Sequence, residues 1–215
     1  MRIALLLLLW SGTALADDWT DVPALIRSAT APIDAELRKC SKLPKRIAMI
    51  VARAKDGSTA VAMPMPPVGG RGFTKEERCL MDAIAKVKMP ALPAEIDRMI
   101  LAHTVSDAPV AADAAFDAWR DPAATIATLV ESKHRAALGA CDRKPRTAHV
   151  MLDLSHGKTR VWLPAWQFHS SSGDGSTPDP ERRVKACMTK AIRDWTAPVL
   201  PRDMAEIQLA LALKP

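Results

Sequence analysis

The chain has 215 residues, 48% of them hydrophobic and 25% charged, and 30 Lys and Arg against 24 Asp and Glu give a formal net charge of +6. The basic excess is spread thinly. A nucleic-acid binder would show a dense basic stripe with aromatic platforms, whereas Arg38, Lys39, Lys42, Lys45 and Arg46, or Arg182, Arg183 and Lys185, have the spacing of solvated helix and turn faces, suited at most to weak attraction toward anionic envelope polymers.

The first predicted element is a leader. Arg2 precedes an apolar run over residues 3–10, and Ala14-Leu15-Ala16 before Asp17-Asp18 has the small-x-small form of a signal-peptidase site. Cleavage is predicted after Ala16; it removes Arg2 and no acidic residue, so the mature net charge is +5. The run is too short for a spanning helix of about 20 residues, and no later stretch is long and apolar enough, so no membrane span is expected after cleavage. Four Cys follow the leader, with no CxxC among them. In an exported chain an even number at such spacing reads as a disulfide framework rather than a metal or redox site.

The remaining elements occur twice. Trp19 and Trp119 open the two copies, and Asp21 and Asp121 can cap a helix with Pro23 or Pro122 in its first turn. In copy two this helix covers about 122–140, with Ile126, Leu129, Val130 and Leu138 as its buried stripe, while Pro32 should break its counterpart in copy one. Cys40 and Cys141 end these helices. Strands are predicted at 46–54 and 147–154, turns at Asp56-Gly57 and His156-Gly157, and return strands at 58–63 and 158–163. A second helix carries Cys79 at 75–87 and Cys187 at 180–195. Leu92-Pro93 and Leu200-Pro201 end that passage, and last strands fall at 96–105 and 204–213.

Matching landmarks lie 100 or 101 residues apart as far as Met63-Pro64 and Leu163-Pro164, and 108 apart from the second Cys onward, which places one insertion in a Ser- and Gly-rich surface loop at 167–180. The predicted fold class is therefore α+β: two tandem α-β-β-α-β repeats, each with its own small sheet packed by helices. The predicted boundaries are a leader at 1–16, repeat one at 17–106, a linker at 107–118 and repeat two at 119–215. Of the three possible connectivities, Cys40 with Cys79 and Cys141 with Cys187 gives both repeats the same crosslink.

The turn glycines Gly57 and Gly157, the stretches 79–84 and 187–192 that each open on a Cys and close on an Ile, and the two Leu-Pro pairs carry a resemblance to the C-terminal domain of TonB-like energy transducers. It is closest to the Cys-containing version at the ends of adventurous-gliding proteins. The Tyr-Pro opening of TonB domains is missing and the chain has no Tyr. The resemblance thus implies a non-catalytic envelope module that binds a protein or peptide, with strand addition at a sheet edge as one mode.

Trp162, Trp166 and Phe168 fall at even spacing and have no aromatic counterparts in copy one. They form either a recognition ledge or filling between the repeats and beneath the first helix. His149, His156 and His169 could meet only if the hairpin and the insertion fold together, so no metal or other cofactor is expected. Ser170, Ser171 and Ser172 near His169 and Asp174 are nucleophile-type residues in a loop with no nucleophile elbow. Sequence alone leaves two functions standing. One is a periplasmic or secreted binding or structural module; the other is an exported enzyme whose site lies between the repeats or in the 167–180 loop.

Overall fold

The computed structural model describes residues 19–41, 45–64, 72–105, 114–131, 133–168 and 179–214. The predicted leader, most of the predicted linker and the greater part of the 167–180 insertion lie outside these residues.

Local chemistry sets the helix starts. The Asp21 carboxylate accepts the Ala24 N–H at 2.9 Å and opens α1 (Val22–Thr30). Pro32 cannot donate to the helical ladder, so the chain passes through a 3-10 turn, Ala31–Ile33, before resuming as α2 (Asp34–Cys40). Thr74 and Glu77 form a reciprocal capping box at the start of α3 (Lys75–Ile84). Asp121 caps the next helix through the Ala124 N–H at 3.0 Å. Here the outcome differs from the single helix predicted over 122–140: the segment divides into α4 (Pro122–Val130) and α5 (Lys133–Gly139) without a proline. Tertiary contacts hold the second piece. His134 stacks on Trp195 with centroids 5.1 Å apart, and Gly139 comes so close to the Lys214 carbonyl that a Cβ would lie 2.6 Å from it. The buried stripe runs Ile126, Val130, His134, Leu138, one every fourth residue. The last helix is α6 (Asp179–Ile192).

The strands are β1 (Lys45–Arg53), β2 (Thr59–Ala62), β3 (Ile96–Val105), β4 (Arg146–Ser155), β5 (Lys158–Trp162) and β6 (Met204–Leu213). They form one antiparallel sheet in the order β2-β1-β3-β6-β4-β5. This corrects the expectation of a separate small sheet in each repeat. An apolar ten-residue strand left at an edge would expose a row of unpaired backbone groups, and β3 and β6 are two such strands. They satisfy each other, with Ile96 opposite Leu209, Met99 opposite Ile207 and Leu101 opposite Met204, across two irregularities of register.

The two hairpins turn differently. His156 (φ +50°) and Gly157 (φ +73°) make a two-residue loop between paired Ser155 and Lys158, with both central residues left-handed as a type I′ turn requires. The first hairpin is one residue longer. Gly57 takes φ +83°, the Ala54 N–H donates to Ser58 at 2.8 Å, and the Asp56 carboxylate accepts the Ser58 N–H and hydroxyl. That extra residue is where the spacing of 101 between β1 and β4 becomes 100 between β2 and β5.

One face of the sheet carries the core. Ile47, Met49 and Val51 of β1 alternate inward, as do Ala148, Val150 and Leu152 of β4, and they join the buried residues of the helices in one cluster. Trp19 and Trp119 are fully buried in it, and their indole N–H groups donate to the carbonyls of Ala91 and Pro198. Thr59 and Thr159 donate to Pro90 and Pro198, so each segment leading into a last strand is tied to the hairpin before it. Cys40 is bonded to Cys79, and Cys141 to Cys187, with Cα separations of 5.5 and 5.6 Å. The first bridge joins the end of α2 to α3, and the second joins the turn just after α5 to α6. Among the described residues no helix is long and apolar enough to cross a membrane.

Candidate functional site

Because strand side chains alternate between faces, the residues between the core positions build the opposite face. In the middle of β1 and β3 it is apolar, with Ala48 beside Ala102 and Ile50 beside Ile100, and it turns charged where Arg98 stands beside Ala52. Its β6, β4 and β5 part is polar and aromatic, with Gln208 beside Met151 and Met151 beside Trp162. Ala102 and Met151 are buried yet stand outside the core cluster that the helices cover. No helix among the described residues contributes a buried side chain to this face.

His149 is the centre of the polar part. Its backbone N–H donates to the Gln167 side-chain oxygen at 2.9 Å, and its carbonyl accepts from the Gln167 side-chain nitrogen at 2.9 Å. The carboxamide thus takes the place of a strand residue. It does so where the ladder that pairs Met151 with Trp162 would next reach Pro164, which has no N–H. The imidazole Nδ1 lies 3.2 Å from the Gln208 amide nitrogen, which donates to Asp97 at 2.6 Å, and the same Asp97 oxygen is 3.9 Å from Nδ1. Burial pushes the His149 pKa below its ordinary value, and the Asp97 carboxylate pulls it part of the way back. Trp166 lies against this ring, 4.7 Å between centroids and tilted by 50°, and remains 54% exposed.

A second group adjoins it. Asp153 accepts the Trp162 indole N–H at 2.7 Å and two N–H groups of Arg160 at 3.1 and 2.6 Å, while the Arg160 guanidinium sits 5.2 Å from the centre of the Trp162 ring. Hydrogen bonding to Asp153 strengthens Arg160's hold on its proton. Arg98 and Glu206 form a 2.6 Å ion pair on the same face. Two indoles, one beside a cation and one against an imidazole, make this part of the face amphipathic.

Phe168 does not share it. Regular strand ends at Trp162, and Pro164 leads into a 3-10 turn, Ala165–Phe168. Period two no longer holds there, and the turn carries Phe168 into the core, fully buried, with Arg146 6.0 Å from its ring. Of the two readings open to these aromatics, Phe168 takes the filling one, on the covered side, while Trp162 and Trp166 stay on the other face.

His156 sits at the hairpin tip, one residue past the end of β4, which itself lies six strand steps or about 20 Å from His149, and His169 with Ser170, Ser171, Ser172 and Asp174 lies outside the described residues. Among the described residues no three His, Cys, Asp or Glu side chains are grouped to hold a metal. One hydroxyl, imidazole and carboxylate series does occur: the Thr30 Oγ1 is 3.5 Å from His103 Nδ1, and His103 Nε2 is 3.0 Å from Asp34. The Thr30 hydroxyl is fully buried and donates to the Ile26 carbonyl at 2.8 Å, which makes it a tie between α1 and β3 rather than a nucleophile.

Sequence reasoning named His149 as one of three histidines that could meet only if the hairpin and the insertion fold together, and gave it no partner on another strand. Asp97 and Gln208 come from β3 and β6, and only the pairing of those strands brings them to His149. Compared with family models, curated proteins and solved structures, the chain matches none of them.

Proposed function

We propose that this chain is an exported envelope protein, cleaved after Ala16, whose two halves are a tandem duplication of a TonB-like unit and which acts as a non-catalytic binding module for an extended peptide or protein segment. One observation carries the binding role. The half-exposed Trp166 and the anchored Trp162 stand together on a sheet face that no described helix covers, next to the edge strand β5. Large aromatic side chains are normally buried, and where they stay exposed beside satisfied polar groups they mark contact surfaces.

The duplication is supported by the paired tryptophan and threonine ties, the paired carboxylate caps, one disulfide in each half and the single-residue difference between the hairpins. Export is supported by the two bridges, which persist in oxidising compartments such as the periplasm or the outside of the cell.

The test is chemical crosslinking of the protein in its native envelope, wild type against a Trp162→Ala, Trp166→Ala variant of unchanged circular dichroism. A partner captured by the wild type and lost from the variant is expected. A partner held equally by both would move the site away from this face. Amino-terminal sequencing of the purified protein should begin at Asp17.

A further inference from the structure

In both halves a proline stands where the second hairpin strand would otherwise continue its ladder. With Met151 opposite Trp162, the next pairing position on β4 is His149, facing Pro164; with Ile50 opposite Ala62, the next on β1 is Ala48, facing Pro64. The Ala54 N–H donates to Ser58, so the even-numbered residues of β1 turn their backbone groups toward β2. The N–H and carbonyl of Ala48 point the same way, beyond the end of β2, and among the described residues nothing pairs with them.

On β4 the same two groups are taken by the carboxamide of Gln167. The turn that delivers Gln167 also packs on α6 and buries Phe168. On β1 the matching space, between the strand and α3, is a cavity of about 290 Å³ lined by Ile47, Ala48, Met63, Pro64 and Leu80, with Arg46 and Glu77 at its polar side. Both charges have partners already. Arg46 donates to the Arg202 carbonyl, and Glu77 accepts the Thr74 N–H at 2.7 Å. With one cation and one anion so engaged, the lining favours a neutral group over a carboxylate or an ammonium. In the sequence, the residues 100 positions before Gln167 and Phe168 are Pro67 and Val68, neither of them a carboxamide.

We propose that the β1 edge at Ala48, together with the adjoining cavity, binds a partner peptide through a carboxamide side chain followed by an aromatic one. The carboxamide pairs with the N–H and carbonyl of Ala48 as Gln167 does with His149, and the ring enters the cavity between β1 and α3 as Phe168 enters its place below β4. The inference rests on the correspondence of the two halves and on the binding-module reading, and it adds a second recognition point with a stated ligand chemistry.

The test is titration of the isotopically labelled mature protein, both disulfides intact, with a blocked hexapeptide Leu-Pro-Ala-Trp-Gln-Phe, which copies residues 163–168. Saturable shifts at Arg46, Ala48 and Leu80, with slowed hydrogen exchange at the Ala48 amide, are expected. A peptide carrying Glu in place of Gln should bind about tenfold more weakly, the order expected for loss of a paired hydrogen bond. Ala48→Pro removes an N–H that no described strand uses and fixes φ at the extended edge position; with folding checked by circular dichroism, it should lose the peptide. Leu80→Trp, which fills the cavity, should lose it as well. Absence of shifts at millimolar peptide, shifts confined to the second half, or full binding by Ala48→Pro would each overturn the proposal. Such a failure leaves the Trp162 and Trp166 surface to the crosslinking experiment, which does not involve the β1 edge.

Discussion

One terminal nitrogen of the Arg53 guanidinium, with two N–H groups to share, lies 2.8 to 3.3 Å from the carbonyls of Leu92, Pro93, Ala94 and Ile96 and so closes the corner that leads into β3. Its counterpart on β4 is Leu154, 36% exposed, and there the Thr159 hydroxyl accepts the Leu200 N–H. Arg53→Met keeps the stem and removes the donors, which should lower stability by about 2 kcal/mol, read as a drop in the urea midpoint at unchanged slope. Leu154→Met should stay within about 0.5 kcal/mol of wild type in the same measurement. At His149 the sign of a pH effect follows from burial, which depresses its pKa below 6.5 in the folded protein. The unfolded chain therefore binds this proton more readily, so the contribution of neutral His149 is present above the ordinary histidine range and is lost as pH falls through it. Wild type should lose more stability between about pH 7.5 and pH 5 than His149→Gln does, measured by denaturant unfolding at both ends. Neither behaviour was readable from residue type. Both depend on groups that only the fold brings close: the carbonyls of the corner before β3 for Arg53, and Asp97 and Gln208 for His149.

Turns, caps and strand ends were the most legible elements, because their signals are local. The carboxylates of Asp21 and Asp121, the glycines Gly57 and Gly157, and the alternation in β4 need no distant partner to act. His156 holds a left-handed conformation that asparagine adopts at lower cost. His156→Asn should therefore stabilise the second hairpin by a few tenths of a kcal/mol to about 1 kcal/mol, seen as a raised thermal midpoint. The crosslinks act at the same scale. Their sequence separations are 39 and 46, and chain entropy depends only on the logarithm of loop length, so replacing both Cys of either bridge by Ser should cost about 4 kcal/mol, with the two losses nearly equal. A much smaller loss for one bridge would mean that its helices stay docked in the unfolded ensemble. The division between α4 and α5 was not legible, because no proline or glycine marks it and the contacts that hold α5 come from Trp195 and Lys214, more than 50 residues away in the chain.

The sequence reading assigned a sheet to each repeat, and the six described strands form one. The difference lies in β3 and β6, whose apolar character was plain but whose choice of each other as neighbours is a long-range event that periodicity does not encode. The same pairing decided how much of the candidate site could be foreseen: Trp162 and Trp166 were identified from composition, whereas the surroundings of His149 exist only in the joined sheet. Because the core cluster is continuous across that junction, the protein should unfold in one cooperative calorimetric transition, with equal van't Hoff and calorimetric enthalpies. Two resolved transitions would mean that the halves are held together only by their backbone ladder.

The register of the central pair carries one more consequence. Ile96 lies opposite Leu209, and Leu101 opposite Met204; shifting each number by 108 exchanges the two pairs. A contact with that property is isologous, and isologous contacts close on themselves instead of propagating. The strands most able to seed a fibril are thereby used up inside a single molecule. What remains at the rim is β2, four residues long, and β5, five residues long and carrying Lys158 and Arg160, both poor templates for edge-to-edge growth. A chain ending after Val105 would recover the lost edge, and in sedimentation it should run as a dimer or larger assembly while the intact protein stays monodisperse.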